Sequence, residues 1–76
     1  MNPRVTNVKP EQDFTLLITF SNGEIKKFDV KPYLEIGIFK ELKDLSIFNS
    51  VKPSLGSIQW ANGVDLCPDT LYLDSE

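Results

Sequence analysis

The clearest alternation of apolar and polar residues lies between residues 13 and 20, in the stretch DFTLLITF. Every second position there carries a large apolar residue: Phe14, Leu16, Ile18 and Phe20. A period of two, rich in β-branched and aromatic residues, predicts a strand with these side chains facing the core. An earlier segment, 4–10, contains Val5 and Val8 and predicts a first strand. Pro10 ends it, because proline cannot donate to a strand ladder.

The segment 20–30 predicts a hairpin, because Asn22-Gly23 is a strong turn signal between two apolar runs. A two-residue loop would move the apolar residues of the second strand to the wrong face. A three-residue loop, 21–23 with Gly23 left-handed, keeps them on the core side in three cross-strand pairs: Leu16 with Phe28, Phe14 with Val30, and Ile18 with Lys26. We therefore predict the longer loop, since a slip of one residue would invert the second strand.

Between residues 31 and 50 the spacing of apolar residues becomes helical. Pro32 at a first helical position and Gly37 as a stop predict one turn. The stretch IFKELKDL then predicts a short helix with an apolar stripe of Phe39, Leu42 and Leu45, and Ile47 and Phe48 extend it by a further turn. Helices this short are unstable alone, so we expect them to pack on the sheet.

The chain returns to extended structure at 51–60, where Pro53 and Gly56 predict bends. Trp60 is in phase with Ile58 and alternates with polar residues, which predicts a buried indole. The alternative is an exposed Trp60 that serves as a stacking platform or as the anchor for a partner protein.

The last residues contain the signals of a turn, a short strand and a helix. Asn62-Gly63 predicts the turn, and VDL the short strand. Pro68 at the first helical position and Asp69 as a first-turn acid predict a terminal helix that packs Leu71.

These elements predict an α+β fold in a single domain, 1–76. Its small antiparallel sheet comprises the N-terminal strands and the hairpin 13–30, with short helices around 38–50 and near 68–74. A chain of 76 residues buries only about 60% of its extended surface, so most of its apolar residues must enter the core. A dimer that shares apolar surface would stabilise a chain of this size.

The charge balance disfavours nucleic acid and membrane partners. Eight basic and eleven acidic side chains give a net charge of −3, whereas phosphate binding needs a clustered positive face. The densest basic group, Lys26, Lys27 and Lys31, is interrupted by Asp29 and is typical of a solvated strand edge. No apolar run approaches the ~20 residues of a membrane span, and no signal-peptide pattern is present, so we expect a cytoplasmic protein.

The residue types available leave little catalytic chemistry. The chain has one cysteine and no histidine, which excludes a disulfide framework and a cysteine-based zinc site and removes the commonest general base. Cys67 at a helix start is a candidate nucleophile, but without a histidine base we expect a semi-buried structural residue. The glycines form no phosphate-binding loop. We predict no catalytic residue, no cofactor and no metal ligand set.

Two acids near the C-terminus are open to two interpretations. Asp65 and Asp69 can act as paired carboxylates, and with Asp29 they would form a small metal-binding or hydrolytic site. The structural interpretation, which we favour, makes Asp69 a first-turn acid and lets Asp65 bond backbone amides after the turn.

The pattern of residues over nearly the whole chain resembles the "domain of unknown function 2442" family of small bacterial proteins. The most specific match is at the C-terminal end, in Trp60, Asn62, Gly63, Asp65, Leu66, Pro68, Asp69, Leu71 and Tyr72. Upstream, the matching positions are Phe20, Gly23, Glu24, Phe28, Asp29, Phe39, Leu42 and Phe48. Ala61 stands where proline is common in the family and Cys67 where serine is common, so the terminal helix has a weaker N-cap here.

The resemblance implies an α+β fold with an antiparallel sheet and carries over no enzymatic activity. Members often accompany another small protein, in arrangements similar to toxin–antitoxin pairs. We therefore expect a non-enzymatic interaction or regulatory module with a small basic partner protein, and an antitoxin-like role is one form of that function. The expected partner-binding residues are Trp60, Asp65, Asp69 and Tyr72, joined by the acids Asp74 and Glu76. The alternatives are the metal-binding or hydrolytic domain and a structural homodimer that pairs exposed strands.

Overall fold

The structure is a computed structural model that describes residues 3–75. Its strands are β1 Val5–Glu11, β2 Thr15–Phe20, β3 Ile25–Asp29, β4 Lys52–Ser54, β5 Ser57–Gln59 and β6 Asp65–Leu66. The α-helices are α1 Leu45–Phe48 and α2 Pro68–Asp74, and short 3-10 helices occupy Gln12–Phe14, Lys31–Tyr33 and Gly37–Lys43. The fold is therefore α+β, as the sequence predicts.

Strands β1, β2 and β3 form an antiparallel N-terminal sheet with β2 in the centre. The predicted register is confirmed, because Leu16 lies opposite Phe28 and Ile18 opposite Lys26. The three-residue loop is confirmed as well: the Phe20 N–H donates to the Glu24 carbonyl (2.8 Å) across it, and Gly23 has a φ of 90°.

The N-terminal end of β2 departs from the prediction of a strand from residue 13. Asp13 and Phe14 adopt left-handed backbone conformations, with φ of 60° and 56°, inside a 3-10 turn. The turn brings the Phe14 ring edge-on to the Phe48 ring, with 5.2 Å between centroids. Phe14 thus packs against the core from a turn and is only partly buried.

A second antiparallel sheet, of β4, β5 and β6, goes beyond the single sheet that the sequence predicts. Pro53 lies on its edge strand β4, where a missing N–H is tolerated. A two-residue turn, Leu55-Gly56, joins β4 to β5, and both of its residues have positive φ, 50° and 83°. We call the sheet of β4, β5 and β6 the C-terminal sheet. The Val5 N–H donates to the Gly56 carbonyl (3.0 Å) and joins the two sheets.

The helical region differs from the prediction in its phase. The 3-10 helix that buries Leu42 ends at Lys43, and Asp44 caps α1 by accepting from the Ser46 N–H (3.0 Å). This break places Leu45 at the start of a new helix, where it is 58% exposed, so the prediction that Leu45 joins the buried stripe is wrong. Gly37, predicted as a helix stop, begins the 3-10 helix instead.

The core is one cluster to which both sheets and the helices contribute. Its buried residues are Val5, Val8, Leu16, Ile18, Phe20, Phe28, Val30, Leu34, Leu42, Phe48, Val51, Ile58, Trp60, Val64 and Leu71. Full burial of each large side chain contributes roughly 1.5–3 kcal/mol. The prediction that the apolar face of the hairpin packs into the core is therefore confirmed.

Candidate functional site

Trp60 belongs to the interior. Its side chain is 1% exposed, its indole N–H donates to the Phe48 carbonyl (3.1 Å), and its ring lies 6.5 Å from the Phe48 ring. The prediction of a buried indole is confirmed. The expectation that Trp60 also anchors a partner needs correction, since the folded domain presents almost none of this side chain to another molecule.

Tyr72 lies on the inner side of α2 and connects it to the first hairpin. Its hydroxyl donates to Glu24 Oε1 (2.5 Å), and its ring meets the Phe20 ring edge-on at 5.1 Å. Lys26 Nζ lies 3.9 Å from the centre of the Tyr72 ring and 3.4 Å from the Tyr72 carbonyl oxygen. Tyr72 is half-buried and holds α2 against the N-terminal sheet.

The hydrogen bond between Tyr72 and Glu24 changes the acidity of both groups. The Tyr72 hydroxyl, aided by Asn22 (2.5 Å) and Lys26, holds the pKa of Glu24 below its ordinary 4.5. The same bond, with desolvation, raises the pKa of Tyr72 above its ordinary 10.0. The pair is therefore strongest between these two limits, with Glu24 ionised and Tyr72 protonated.

Helix α2 begins at Pro68, as the sequence predicts. Pro68 occupies a first-turn position, Asp69 is a first-turn acid, and Leu71 is fully buried below them. Cys67 is the N-cap residue and makes no side-chain cap hydrogen bond. Its thiol is exposed, so the prediction of a semi-buried cysteine is wrong.

Asp65 lies on the outer face of the C-terminal sheet. It pairs with Gln59, which pairs with Lys52, so these three side chains form one row across that face. The prediction that Asp65 bonds backbone amides is wrong: the residue that does so is Asn62, whose Oδ1 accepts from the Val64 N–H (3.1 Å). Asp65 is exposed and available to another molecule.

A groove crosses the outer face of the C-terminal sheet and contains Asp65. We call it the C-terminal groove; it is lined by Ser54, Leu55, Ser57, Ile58, Gln59, Asp65, Leu66, Cys67 and Pro68. It lies between the Leu55-Gly56 turn and the start of α2, and it brings the predicted residue Asp65 close to the exposed thiol. Tyr72 does not line it.

Leu55 is the most unusual residue of the groove. It is 95% exposed and has a φ of 50° in a two-residue turn. Such turns favour asparagine and glycine, because a left-handed conformation costs a residue with a Cβ about 1 kcal/mol. The Arg4 side chain lies across the neighbouring Gly56, where an added Cβ would come within 2.7 Å of its guanidinium.

The acids proposed as a metal or hydrolytic site do not form one cluster. Asp29 Oδ1 accepts from the Lys31 N–H (2.9 Å) and lies 3.2 Å from Lys31 Nζ. No group of three or more His, Cys, Asp or Glu within residues 3–75 is placed to hold a metal ion. The described chain therefore does not bring Asp29, Asp65 and Asp69 together as that alternative requires. Glu76, named as a further acid of the partner-binding face, lies outside the described residues.

Sequence reasoning missed two residues: Leu55, which lines the C-terminal groove, and Glu24, which accepts a hydrogen bond from Tyr72. Leu55 precedes a glycine in SLGS, a turn signal that the leucine obscures because it is a poor left-handed residue. Glu24 matches the family pattern, but its partner Tyr72 is 48 positions away, and no local signal joins them.

The geometry describes a small α+β domain with an open groove and a buried tryptophan. The sequence profile of the family described as "Protein of unknown function (DUF2442)" matches residues 5–75. The chain belongs to this family. No curated protein and no solved structure matches it. No helix among the described residues is long and apolar enough to cross a membrane.

Proposed function

We propose that this protein is a non-enzymatic interaction or regulatory module that captures a small basic protein through the C-terminal groove. An antitoxin-like role, in which the captured protein is the toxic member of a pair, is the form of regulation that we propose first. The observation that carries the proposal is Leu55, an almost fully exposed leucine in a left-handed conformation at the rim of the groove.

Leu55 combines two unfavourable features in one side chain. Exposed leucines alone are ordinary on protein surfaces, and left-handed residues alone are ordinary in turns. A leucine at this turn position is less stable than asparagine or glycine, and it gains nothing from burial within the domain. The turn needs a left-handed residue here but does not need a leucine, so the choice of leucine supports a functional role. A projecting apolar side chain can fill a pocket on a partner.

The charge of the groove supports a basic partner. The charged side chain in the lining of the groove is the exposed acid Asp65 on β6. Asp69 follows the lining residue Pro68 in the first turn of α2, and the whole chain carries a net charge of −3. Complementary charges raise the rate of encounter and select the partner, while a buried apolar anchor supplies most of the affinity. Asp65 would thus orient the partner beside Leu55.

Affinity capture with matched variants tests the proposal. Tagged wild type is incubated with native lysate, and in parallel with the product of the neighbouring gene, at several salt concentrations. We expect one basic protein in stoichiometric amount, released as salt rises. Leu55→Asp should lose it, whereas Ile38→Asp, an equivalent change at an exposed isoleucine outside the groove, should retain it. Recovery of no stoichiometric protein at any salt concentration would refute the proposal.

A further inference from the structure

The outer edge of the N-terminal sheet is open along β3. Within residues 3–75, β3 has β2 on one side and no strand on the other. The Phe20 N–H donates to the Glu24 carbonyl (2.8 Å), and bonded pairs of an antiparallel ladder recur at every second residue. The pattern continues to Val30, whose N–H donates to the Phe14 carbonyl (2.9 Å). The intervening residues of β3 therefore direct their backbone groups away from β2.

Those residues are Ile25, Lys27 and Asp29. Their outward N–H and C=O groups have no backbone partner among residues 3–75. The side chains of all three lie on the outer face of the sheet, and Ile25 is 62% exposed. The edge thus offers unpaired backbone groups beside an exposed apolar side chain and two opposite charges, which is a surface suited to another strand.

We propose that β3 pairs antiparallel with β3 of a second copy of this chain, about a two-fold axis at Phe28. This register makes Lys27 of each copy the hydrogen-bonded neighbour of Asp29 of the other. Two opposite-charge pairs then face each other, and each pair can exchange two backbone hydrogen bonds. The two N-terminal sheets become one continuous sheet.

The charges distinguish this register from its neighbours. An axis at Lys27 would place that lysine opposite its own copy, a like-charge pair that destabilises the sheet. An axis at Lys26 would leave Asp29 without a lysine opposite it and would pair Ile25 with Lys27. Edge lysines usually protect a strand from pairing, but the sequence Lys-Phe-Asp at 27–29 is complementary to itself when reversed.

Helix α2 also lies beside β3, and its Asp74 lines a small cavity together with Lys27 and Asp29. On the core side, Tyr33 stacks on Phe28 at 5.6 Å and Lys26 lies over Tyr72, so the hydrophobic interior stays closed. The ion pair of Asp29 with Lys31 is about half exposed on both sides. Such an exposed pair contributes little, so Asp29 can exchange it for Lys27 of the second copy.

The β3 edge is a different surface from the C-terminal groove. Sedimentation equilibrium of the full chain, from micromolar to millimolar concentration, measures the dimer directly. We expect wild type to dimerise reversibly, and Leu55→Asp to dimerise equally well, because the C-terminal groove is not involved. Failure of partner capture and failure of dimerisation are therefore separate results.

Charge exchange tests the register. Lys27→Glu places two acids face to face and Asp29→Lys two bases, so each variant alone should dimerise at least about tenfold more weakly. An equimolar mixture of the two should form a heterodimer, and the double variant K27E/D29K should dimerise as wild type does. We expect the variants to fold, because both side chains are exposed, and circular dichroism checks this. A wild type that stays monomeric, or single variants that dimerise like wild type, would overturn the proposal.

Discussion

Among single residues, Trp60 shows how a large side chain with a polar atom is accommodated in the core. The buried Trp60 indole N–H donates to the Phe48 carbonyl. Among the described residues, every buried side-chain nitrogen and oxygen has a hydrogen-bond partner. A buried indole without that bond would lose the stabilisation that its ring gains. The tryptophan is thus a structural residue, whereas the exposed Leu55 side chain gains nothing within the domain.

Replacement of Trp60 by phenylalanine removes the bond and part of the ring. We expect Trp60→Phe to lower the free energy of unfolding by about 2 kcal/mol, the sum of a lost buried hydrogen bond and a small cavity. Urea unfolding followed by circular dichroism measures it. Tyr33→Phe, which loses only the exposed bond to Asp74, is the control and should cost much less. Equal losses in the two variants would contradict the role assigned to the indole.

Replacement of Leu55 by asparagine removes the conformational strain. We expect Leu55→Asn to raise the free energy of unfolding by about 1 kcal/mol, because asparagine adopts the left-handed conformation at lower cost. In a domain of this size that corresponds to a rise of about 4–8 °C in the melting temperature. Leu73→Asn, at an exposed position inside α2, should give no rise. Calorimetry of both variants decides it, and a less stable L55N would show that the turn is not strained.

At the scale of elements, one hairpin loop occurs twice. Loops 21–23 and 61–63 both follow a buried aromatic residue and end in Asn-Gly. In each, the glycine N–H donates to the carbonyl of that aromatic residue, and the asparagine Oδ1 accepts from the N–H after the glycine. The two sheets are therefore built around the same local geometry.

The equivalence of the loops gives a paired prediction. Gly23 and Gly63 have φ of 90° and 89°, and an added Cβ would meet no atom within 4 Å at either. The cost of Gly23→Ala and of Gly63→Ala is then purely conformational, about 1 kcal/mol each, and should be the same. Thermal unfolding of the two variants measures both costs. A difference between the two costs as large as either cost would show that the loops are not equivalent.

The contact between α2 and the first hairpin depends on pH. The depressed pKa of Glu24 contributes stability that is present above pH 4.5 and is lost as pH falls through its folded pKa. The raised pKa of Tyr72 contributes stability that is present below pH 10.0 and is lost as pH rises through its folded pKa.

Tyr72→Phe keeps the aromatic contact and removes the hydroxyl. We expect this variant to be less stable than wild type near pH 7, with the difference shrinking below pH 4.5 and above pH 10.0. Urea unfolding across this range measures the difference. In a Glu24→Gln background the acid-side dependence should disappear. A difference that stays constant down to acid pH would show that the hydroxyl does not interact with ionised Glu24.

Several of the strands and helices could be predicted from the local pattern of apolar residues and turn signals. The register of the first hairpin followed from Leu16 and Phe28 sharing a face, and Pro68 with Asp69 gave the start of α2. The region around Leu45 could not be predicted, because in pieces this short packing rather than propensity sets the helical phase. The second sheet was missed for a similar reason: its strands are two or three residues long.

At the scale of the whole molecule, the two sheets place the predicted partner-binding residues on different sides. Tyr72 faces the N-terminal sheet, Asp65 faces outward in the C-terminal groove, and Trp60 lies in the core against Phe48. Their closeness in sequence suggested one site, but strand alternation and the turn into α2 separate them. The groove itself could not be predicted, because it depends on a turn that contains a leucine where asparagine or glycine is usual.

Stability and partner capture, both measured on the variant Leu55→Asn, show whether this leucine serves the fold or a partner. If the strained leucine is present for binding, the variant should unfold at a higher temperature and yet retain much less partner than wild type in the same capture. A variant that retains the partner in full would contradict the account.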